Sequence, residues 1–345
     1  MNYLVLGDLH LKSDNLSVAK KLFDWVVEDM EIRRTYKDGW TVILLGDVYE
    51  TKSILRAEAQ NLFYKFVADL LGLGVTIHVL MGNHDYVNLD CTDHAFSFLD
   101  NFKNERLNIV DEVTVIDDGG ICLAPFFRSS DEFVEKINSA QTKKDALLFC
   151  HQAFKGAVYN SVGGLTEKGE CDPARIRDKF STIYSGHIHL HQMIGNIMYV
   201  GTPYSQSFGE ANTSKVILEL TKDRGQHLID TSIVGLPKHI CIKIDAESLK
   251  IPKNEAKDGD HVKYVITGTE QECQMFMSRV DMSELSDAVV QYKYTDAGID
   301  VKIDEHQSFV KMFEEYLELN FKDHPQFELA KTLGKERFIK KHASL

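Results

Sequence analysis

The sequence predicts an α/β fold, and three observations carry that expectation. Apolar β-type runs alternate with amphipathic stretches at βαβ spacing through the first eighty residues. Five apolar runs lead directly into Gly, Asp, Asn or His, as strands feeding one edge of an open sheet do. At 345 residues, 43% hydrophobic and 26% charged, the chain has globular composition and room for about two domains.

Taken in order, residues 3–6 form a short buried strand. Residues 16–34 are long enough for a helix, with Val18, Leu22, Trp25, Val26 and Met30 at three-to-four spacing and only Asp29 breaking it. The Asp38-Gly39 turn leads to a strand over 41–45. Ser53 is the expected N-cap of a helix ending near Leu71, where Gly72 and Gly74 stop it. A third strand covers 76–81. Alternation at this spacing predicts parallel strands with helices on a face. Next come a helix over 93–103, strands over 108–116 and 121–124 around Asp117-Asp118-Gly119-Gly120, a helix over 131–139 and a strand over 146–150. A Gly-rich stretch over 155–172 precedes strands over 182–185, 197–200 and 215–220. Composition shifts at Gly235-Leu236-Pro237, which divides 1–234 from a small α+β unit over 235–303. That unit has strands at 240–245, 262–267 and 289–294 and a helix near 271–280. A helical tail over 304–345 breaks at His324-Pro325.

No apolar run approaches the ~18 residues that span a bilayer, and Asp8 arrives too early for a secretory leader. Six scattered Cys without a C-x-x-C pair argue against a disulfide framework and a thiolate metal site. The expectation is a cytoplasmic protein, of a bacterium or of an infected host cell, with no membrane partner. The formal charge of −13 argues on its own against nucleic acid, whose phosphates are bound by clustered Lys and Arg.

The polar residues after the strands reopen the question of nucleic acid. The runs end in Gly7-Asp8-Leu9-His10, Gly46-Asp47, Gly82-Asn83-His84-Asp85, His151 and Gly186-His187-Ile188-His189. Any one of these is weak; five converging on one sheet edge make a metal site. Imidazole and carboxylate without thiolate suit Mn²⁺, Fe or Zn²⁺ and not Ca²⁺. Seven candidate ligands exceed one ion and fit two that share a carboxylate. Two ions ~3.5–4 Å apart clamp the attacking and departing oxygens of an in-line phosphoryl displacement and acidify a bound water. His84 is placed to touch substrate without binding metal, with Asp85 expected to fix its tautomer. The glycines before the motifs let backbone come close to ions or substrate.

These five motifs, in this order and spacing, resemble those of the calcineurin-like metallophosphoesterases over about the first 210 residues. The resemblance implies a two-sheet sandwich flanked by helices. It implies one ion on Asp8, His10, Asp47 and His189, a second on Asp47, Asn83, His151 and His187, and His84 as the catalytic histidine. The block Tyr199-Val200-Gly201-Thr202-Pro203-Tyr204-Ser205-Gln206-Ser207-Phe208-Gly209-Glu210, with the capping unit and helical tail, narrows the resemblance to SbcD-type double-strand-break repair nucleases, including phage-encoded members. That implies a Mn²⁺-dependent DNA exonuclease and endonuclease, a homodimer working with an SbcC-type coiled-coil ATPase. The chain departs from the pattern at Glu50, where some members carry a second catalytic histidine, at Leu11-Lys12 in place of Leu-Gly, and at the extra His191.

Other readings stand beside these. His78, inside an apolar run, reads as a satisfied core histidine, and Cys150 as an inert strand residue. His191, His94, Arg128 and Lys143-Lys144 read as surface or loop groups. In the tail, Phe309, Met312, Phe313, Tyr316, Leu317 and Phe321 make one helical stripe, which either packs on its own protein or docks in a partner's groove. Two competing functions remain: another phosphoesterase acting on nucleotides or phosphoproteins, and a non-catalytic assembly subunit for an ATPase. For a nuclease, the decisive positive charge comes from ions at the scissile phosphate, so an acidic chain is compatible with DNA and a basic partner supplies much of the grip.

Overall fold

The structure, a computed structural model, describes residues 2–295 apart from 34–38, 53, 103–105, 160–169, 222–224, 254 and 286–287. The expected N-cap Ser53, the tail over 304–345 and its stripe Phe309, Met312, Phe313, Tyr316, Leu317 and Phe321 lie outside the described residues.

In chain order, β1 (Asn2–Leu6), α1 (Leu16–Arg33), β2 (Trp40–Leu44), α2 (Ala57–Gly72), β3 (Thr76–Leu80) and β4 (Leu107–Val110) build the first layer. β5 (Thr114–Ile116), β6 (Ile121–Ala124), α3 (Ser130–Ser139), β7 (Ala146–Cys150), β8 (Phe180–Ser185), β9 (Gln192–Ile194) and β10 (Ile197–Tyr199) build the second. The chain then returns through β11 (Val216–Thr221) and β12 (Gly225–Asp230). One six-stranded sheet has the order β12-β11-β1-β2-β3-β4, and the other β5-β6-β7-β8-β10-β9. The expected parallel pairing holds from β1 to β4 and from β6 through β7 and β8 to β10. Strands β11, β5 and β9 add antiparallel neighbours. The run over 108–116, expected as one strand, divides into β4 and β5 of different sheets. The helix expected over 93–103 is a 3₁₀ turn at Ser97–Phe102.

Three buried clusters explain the layering. Val5, Ile43 and Leu80 of the first sheet pack with Leu123, Phe149 and Tyr184 of the second, so strand residues of one parity face the sheet-sheet core. Residues of the other parity, Leu4, Leu6, Val42 and Leu44, join Leu22, Phe23, Val26 and Met30 of α1 and Phe63, Phe66, Val67 and Leu70 of α2. The Phe23 and Phe66 rings stack at 4.1 Å. Phe133, Val134 and Ile137 of α3 close the outer face of the second sheet. Helix α2 begins after Arg56, without a side-chain cap, and ends where Gly74 takes φ +80, the left-handed turn that glycine adopts without penalty.

After Gly235, β13 (His239–Asp245), β14 (His261–Gly268), α4 (Glu270–Arg279) and β15 (Val289–Tyr294) form a small three-stranded sheet with one helix. Its own core gathers Ile244, Tyr264, Ile266, Cys273 and Phe276, and a Thr269–Glu272 capping box starts α4. No helix among the described residues is long and apolar enough to cross a membrane.

Candidate metal centre

Strand register brings the motifs together. Leu6 pairs with Leu44, so Gly7-Asp8 and Gly46-Asp47 leave adjacent parallel strands side by side. Cys150 pairs with Ser185, which sets His151 beside Gly186-His187. The Leu9 and His10 N–H groups both donate to the Asp47 carbonyl, at 3.1 and 2.9 Å. The two sheets meet where the His187 N–H donates to Asp8 Oδ1 at 2.8 Å.

The backbone at this edge is unusual. His10, Asp47 and His187 take φ of 44°, 49° and 77°, in the left-handed region that L-residues avoid except where surroundings impose it. The glycines serve strand packing here: a Cβ on Gly82 would stand 2.2 Å from both the backbone N and Oδ1 of Asp47. They let neighbouring loops and candidate-ligand side chains approach each other: a Cβ on Gly46 or Gly186 would stand 2.6 or 2.9 Å from His151 Nδ1.

The side chains converge as two groups linked by a third. Donor atoms of Asp8, His10 and His189 lie within 4.8 Å of one another, as do those of Asp47, His151 and His187, and those of His10, Asp47 and His84 join the two. Asp47 Oδ2 stands between the groups, 3.6 Å from His10 Nε2 and 3.3 Å from His151 Nε2. Asn83 Oδ1 joins the second group, 3.1 Å from His151 Nε2 and 2.8 Å from His187 Nδ1. His10 Nε2 and His189 Nε2 face each other at 3.0 Å. Asp8 Oδ2 is buried with no hydrogen-bond partner among the described residues. A buried orphan carboxylate oxygen and opposed imidazole nitrogens leave attraction for a cation unspent, so the residues fit divalent metal.

Electrostatics agrees. Burial alone would raise the Asp47 carboxyl; His151, His10 and His84 hold it well below the usual carboxylate range. Burial opposes charge on His151, yet Asp47 and Asp8 lift it to about 9. Burial and the neighbouring His151 push His187 down to about 4. The cluster is therefore a field of carboxylate charge balanced by whichever cation arrives, proton or metal.

Around it, the orienting contacts are of the kind that fixes a tautomer. His151 Nδ1 donates to the Leu45 carbonyl at 2.7 Å, which leaves Nε2 for the site. His84 Nδ1 donates to the Glu50 carbonyl at 2.6 Å. This corrects the expected role of Asp85, which does not hold the His84 ring. Fully buried Asp85 accepts the Val48, Tyr49 and Gly82 N–H groups at 3.0, 3.2 and 2.9 Å. Its carboxyl is raised to about 7 by burial and by Asp47, with the Gly82 and Tyr49 N–H groups and His151 opposing. Asp85 thus ties the Asp47 loop to the Asn83-His84 loop, and local sequence adjacency misled.

Three contacts escaped the sequence reading. Glu50 Oε2 lies 2.8 Å from His10 Nδ1. The Phe126 ring stacks over His187 with centroids 6.0 Å apart. Glu210 Oε1 lies 2.8 Å from His189 Nδ1. Glu50 and Glu210 had sequence signals, the departure from the family pattern at position 50 and the block that ends on Glu210; Phe126 had none. His191 donates to the Tyr199 carbonyl at 3.0 Å and is structural. His78 is not the satisfied core histidine expected: its Nδ1 is buried without a partner among the described residues. An open cleft of about 330 Å³ has His10, Lys12, Asp47, Asn83, His84 and His187 among its lining residues.

The calcineurin-like phosphoesterase family model matches residues 1–191, a span that includes all seven candidate ligands. The chain belongs to the calcineurin-like phosphoesterases. It is similar to "Exonuclease subunit 1" of Enterobacteria phage T4, 26% identical over 223 residues, 61% of this chain and 62% of that protein. It is also similar to SbcD, a subunit of the nuclease SbcCD of Escherichia coli strain K12, 24% identical over 269 residues, 66% of each chain. Each match spans less than two thirds of the relative's length. The two-sheet sandwich implied by the resemblance is the fold observed, and this calcineurin-like phosphoesterase gathers His and Asp groups that fit a metal ion at the sheet edge.

Proposed function

We propose that this chain is the nuclease subunit of an SbcCD-type complex, hydrolysing DNA phosphodiesters with two divalent ions, Mn²⁺ foremost. The observation that carries the reading is the shared carboxylate: Asp47 Oδ2 is within 3.6 Å of ligand nitrogens from both groups. One ion is assigned to Asp8, His10, Asp47 and His189, and the other to Asp47, Asn83, His151 and His187. When bound, the ions supply Lewis acidity that activates water and neutralises the phosphodiester. His84 holds the proton for the leaving oxygen: its Nδ1 is committed to the Glu50 carbonyl, so Nε2 is the nitrogen free to give and take a proton in the cleft. Asp85 and Glu50 act through others, fixing the loops and rings that present His84 and His10.

DNA as substrate is supported by the two relatives, both named as parts of nucleases. We assign the unit over 235–303 to DNA contact and the tail over 304–345 to an SbcC-type coiled-coil ATPase, within a homodimer. The net charge of −13 implies weak DNA binding by this chain alone and a partner that supplies basic surface. The test is an incubation with Mn²⁺ and linear duplex DNA, beside a small chromogenic phosphodiester, with and without the co-expressed ATPase. Metal-dependent loss of DNA is expected. Hydrolysis of only the small phosphodiester would leave the family assignment standing and overturn the nuclease.

A further inference from the structure

We propose that Glu210 is the positioning residue that fixes His189 as a ligand of the first ion, through one hydrogen bond whose polarity is enforced by Lys215. The proposal rests on the two-ion reading above. Glu210 is 3% exposed and all its side-chain contacts are donors to it. Oε1 stands 2.8 Å from His189 Nδ1. Oε2 accepts from Lys215 Nζ at 2.6 Å, Thr202 Oγ1 at 3.1 Å and the Gln206 N–H at 3.2 Å. Lys215 Nζ also donates to Thr202 Oγ1 at 2.7 Å and lies 3.4 Å from the His189 carbonyl.

Two consequences follow from hydrogen-bond chemistry. Lys215 Nζ, Thr202 Oγ1 and the Gln206 N–H all donate to Oε2, so Glu210 is an ion-paired carboxylate that offers Oε1 to His189 as an acceptor. A carboxylate facing His189 Nδ1 requires the proton on that nitrogen, which leaves the Nε2 lone pair directed away from it. That Nε2 is the atom 3.0 Å from His10 Nε2. A carboxylate hydrogen-bonded to the far nitrogen of an imidazole raises that imidazole's basicity as a ligand and holds its ring orientation.

The local sequence is shaped for this one contact. Gly201 takes φ +79, and a Cβ there would stand 2.7 Å from the His191 N and 2.8 Å from the His189 carbonyl oxygen. The Thr202 N–H donates to that same carbonyl at 3.1 Å, folding the segment back under the histidine loop. Ser207 caps the 3₁₀ turn Phe208–Glu210 by accepting the Gly209 N–H, which aims Glu210 at His189. The 201–210 block is thus a scaffold whose product is one correctly oriented imidazole.

Glu210→Gln keeps the shape and removes the charge. Its amide must turn NH₂ either toward the Lys215 ammonium or toward His189 Nδ1, and the second choice drives the proton onto Nε2. Metal-stripped full-length protein is titrated with Mn²⁺ by calorimetry. Wild type is expected to take two ions; Glu210→Gln weakens one step roughly 10–100-fold and leaves the other unchanged. Adding Lys215→Met to Glu210→Gln lets the amide oxygen face His189, so most of the lost affinity returns. Wild-type titration by Glu210→Gln, or a loss that the double variant fails to recover, overturns the proposal. Wild type binding no Mn²⁺ overturns the two-ion reading itself and the proposal with it. Should either variant fail to fold, ¹⁵N imidazole shifts of His189 in metal-free wild type decide. Protonation at Nδ1 supports the proposal, and protonation at Nε2 overturns it.

Discussion

His84 and Asp85 adjoin in sequence, yet their side chains serve different bonds, one to the Glu50 carbonyl and one to three backbone N–H groups. His84→Ala should therefore retain Mn²⁺ uptake while its cleavage rate falls roughly 10²–10⁴-fold; calorimetry and a turnover assay on the same preparation separate the two. The seven candidate ligands were legible because each lies at or just after the end of an apolar run, and strand ends are what sequence periodicity marks best. Their partners were not legible. Glu50, Phe126 and Glu210 reach the site across loops, where no period links them to the residue they touch. His78 shows the same limit from the other side. Its position in an apolar run predicts burial, but not that Nδ1 lacks a partner among the described residues. Burial lowers its pKa from the ordinary 6.5 to about 4. Above pH 6.5 both folded and unfolded forms are neutral and nothing is lost. As pH falls from 6.5 toward 4, the unfolded chain takes up a proton that the native state refuses, removing up to about 3 kcal/mol. His78→Leu should flatten that part of the curve, as urea unfolding of metal-free protein at pH 7 and pH 4.5 would report.

Among the elements, buried parallel strands were read nearly to their ends. Strand β7 matches its expected span and β3 stops one residue short of it, because continuous apolar runs bounded by turns have few alternatives. Strands β9 and β12 went unread. Both are edge strands with mostly exposed or half-buried residues, so no alternation or apolar run announces them. The separation of β4 from β5 was equally invisible, since a chain passing from one sheet to another keeps its β-type composition. The strand ends make a sharper prediction. Gly82 and Asp47 leave neighbouring strands at a spacing only glycine permits, with 2.2 Å left for a Cβ. Gly82→Ala should destabilise the fold by about 1–3 kcal/mol and weaken Mn²⁺ uptake, because the displaced partner is the shared carboxylate. A variant that melts with wild type in a thermal scan would contradict the close approach.

At the scale of the whole molecule, partner and substrate assignments rest on different parts of the chain. Deleting residues after Asp304 should abolish co-purification with the coiled-coil ATPase and spare basal cleavage; retention of the partner removes the tail from the proposal. The sandwich itself was implied by the motif set rather than by periodicity, which reports parallel strands but not how many sheets they occupy. Each proposed ion draws on both layers: Asp8, His10, Asp47 and Asn83 follow strands of the first sheet, and His151, His187 and His189 follow strands of the second. The centre is consequently a pair of stitches across the seam. Every ion bound to the native state and not to the unfolded chain adds stability, about 2.7 kcal/mol at a hundredfold excess over its Kd. Chelation should lower the melting temperature, and graded Mn²⁺ should restore it. The stitches also close late. A chain emerging from the ribosome presents Asp8 long before His189, so neither proposed ion has its full ligand set until β7 and β8 of the second sheet have emerged.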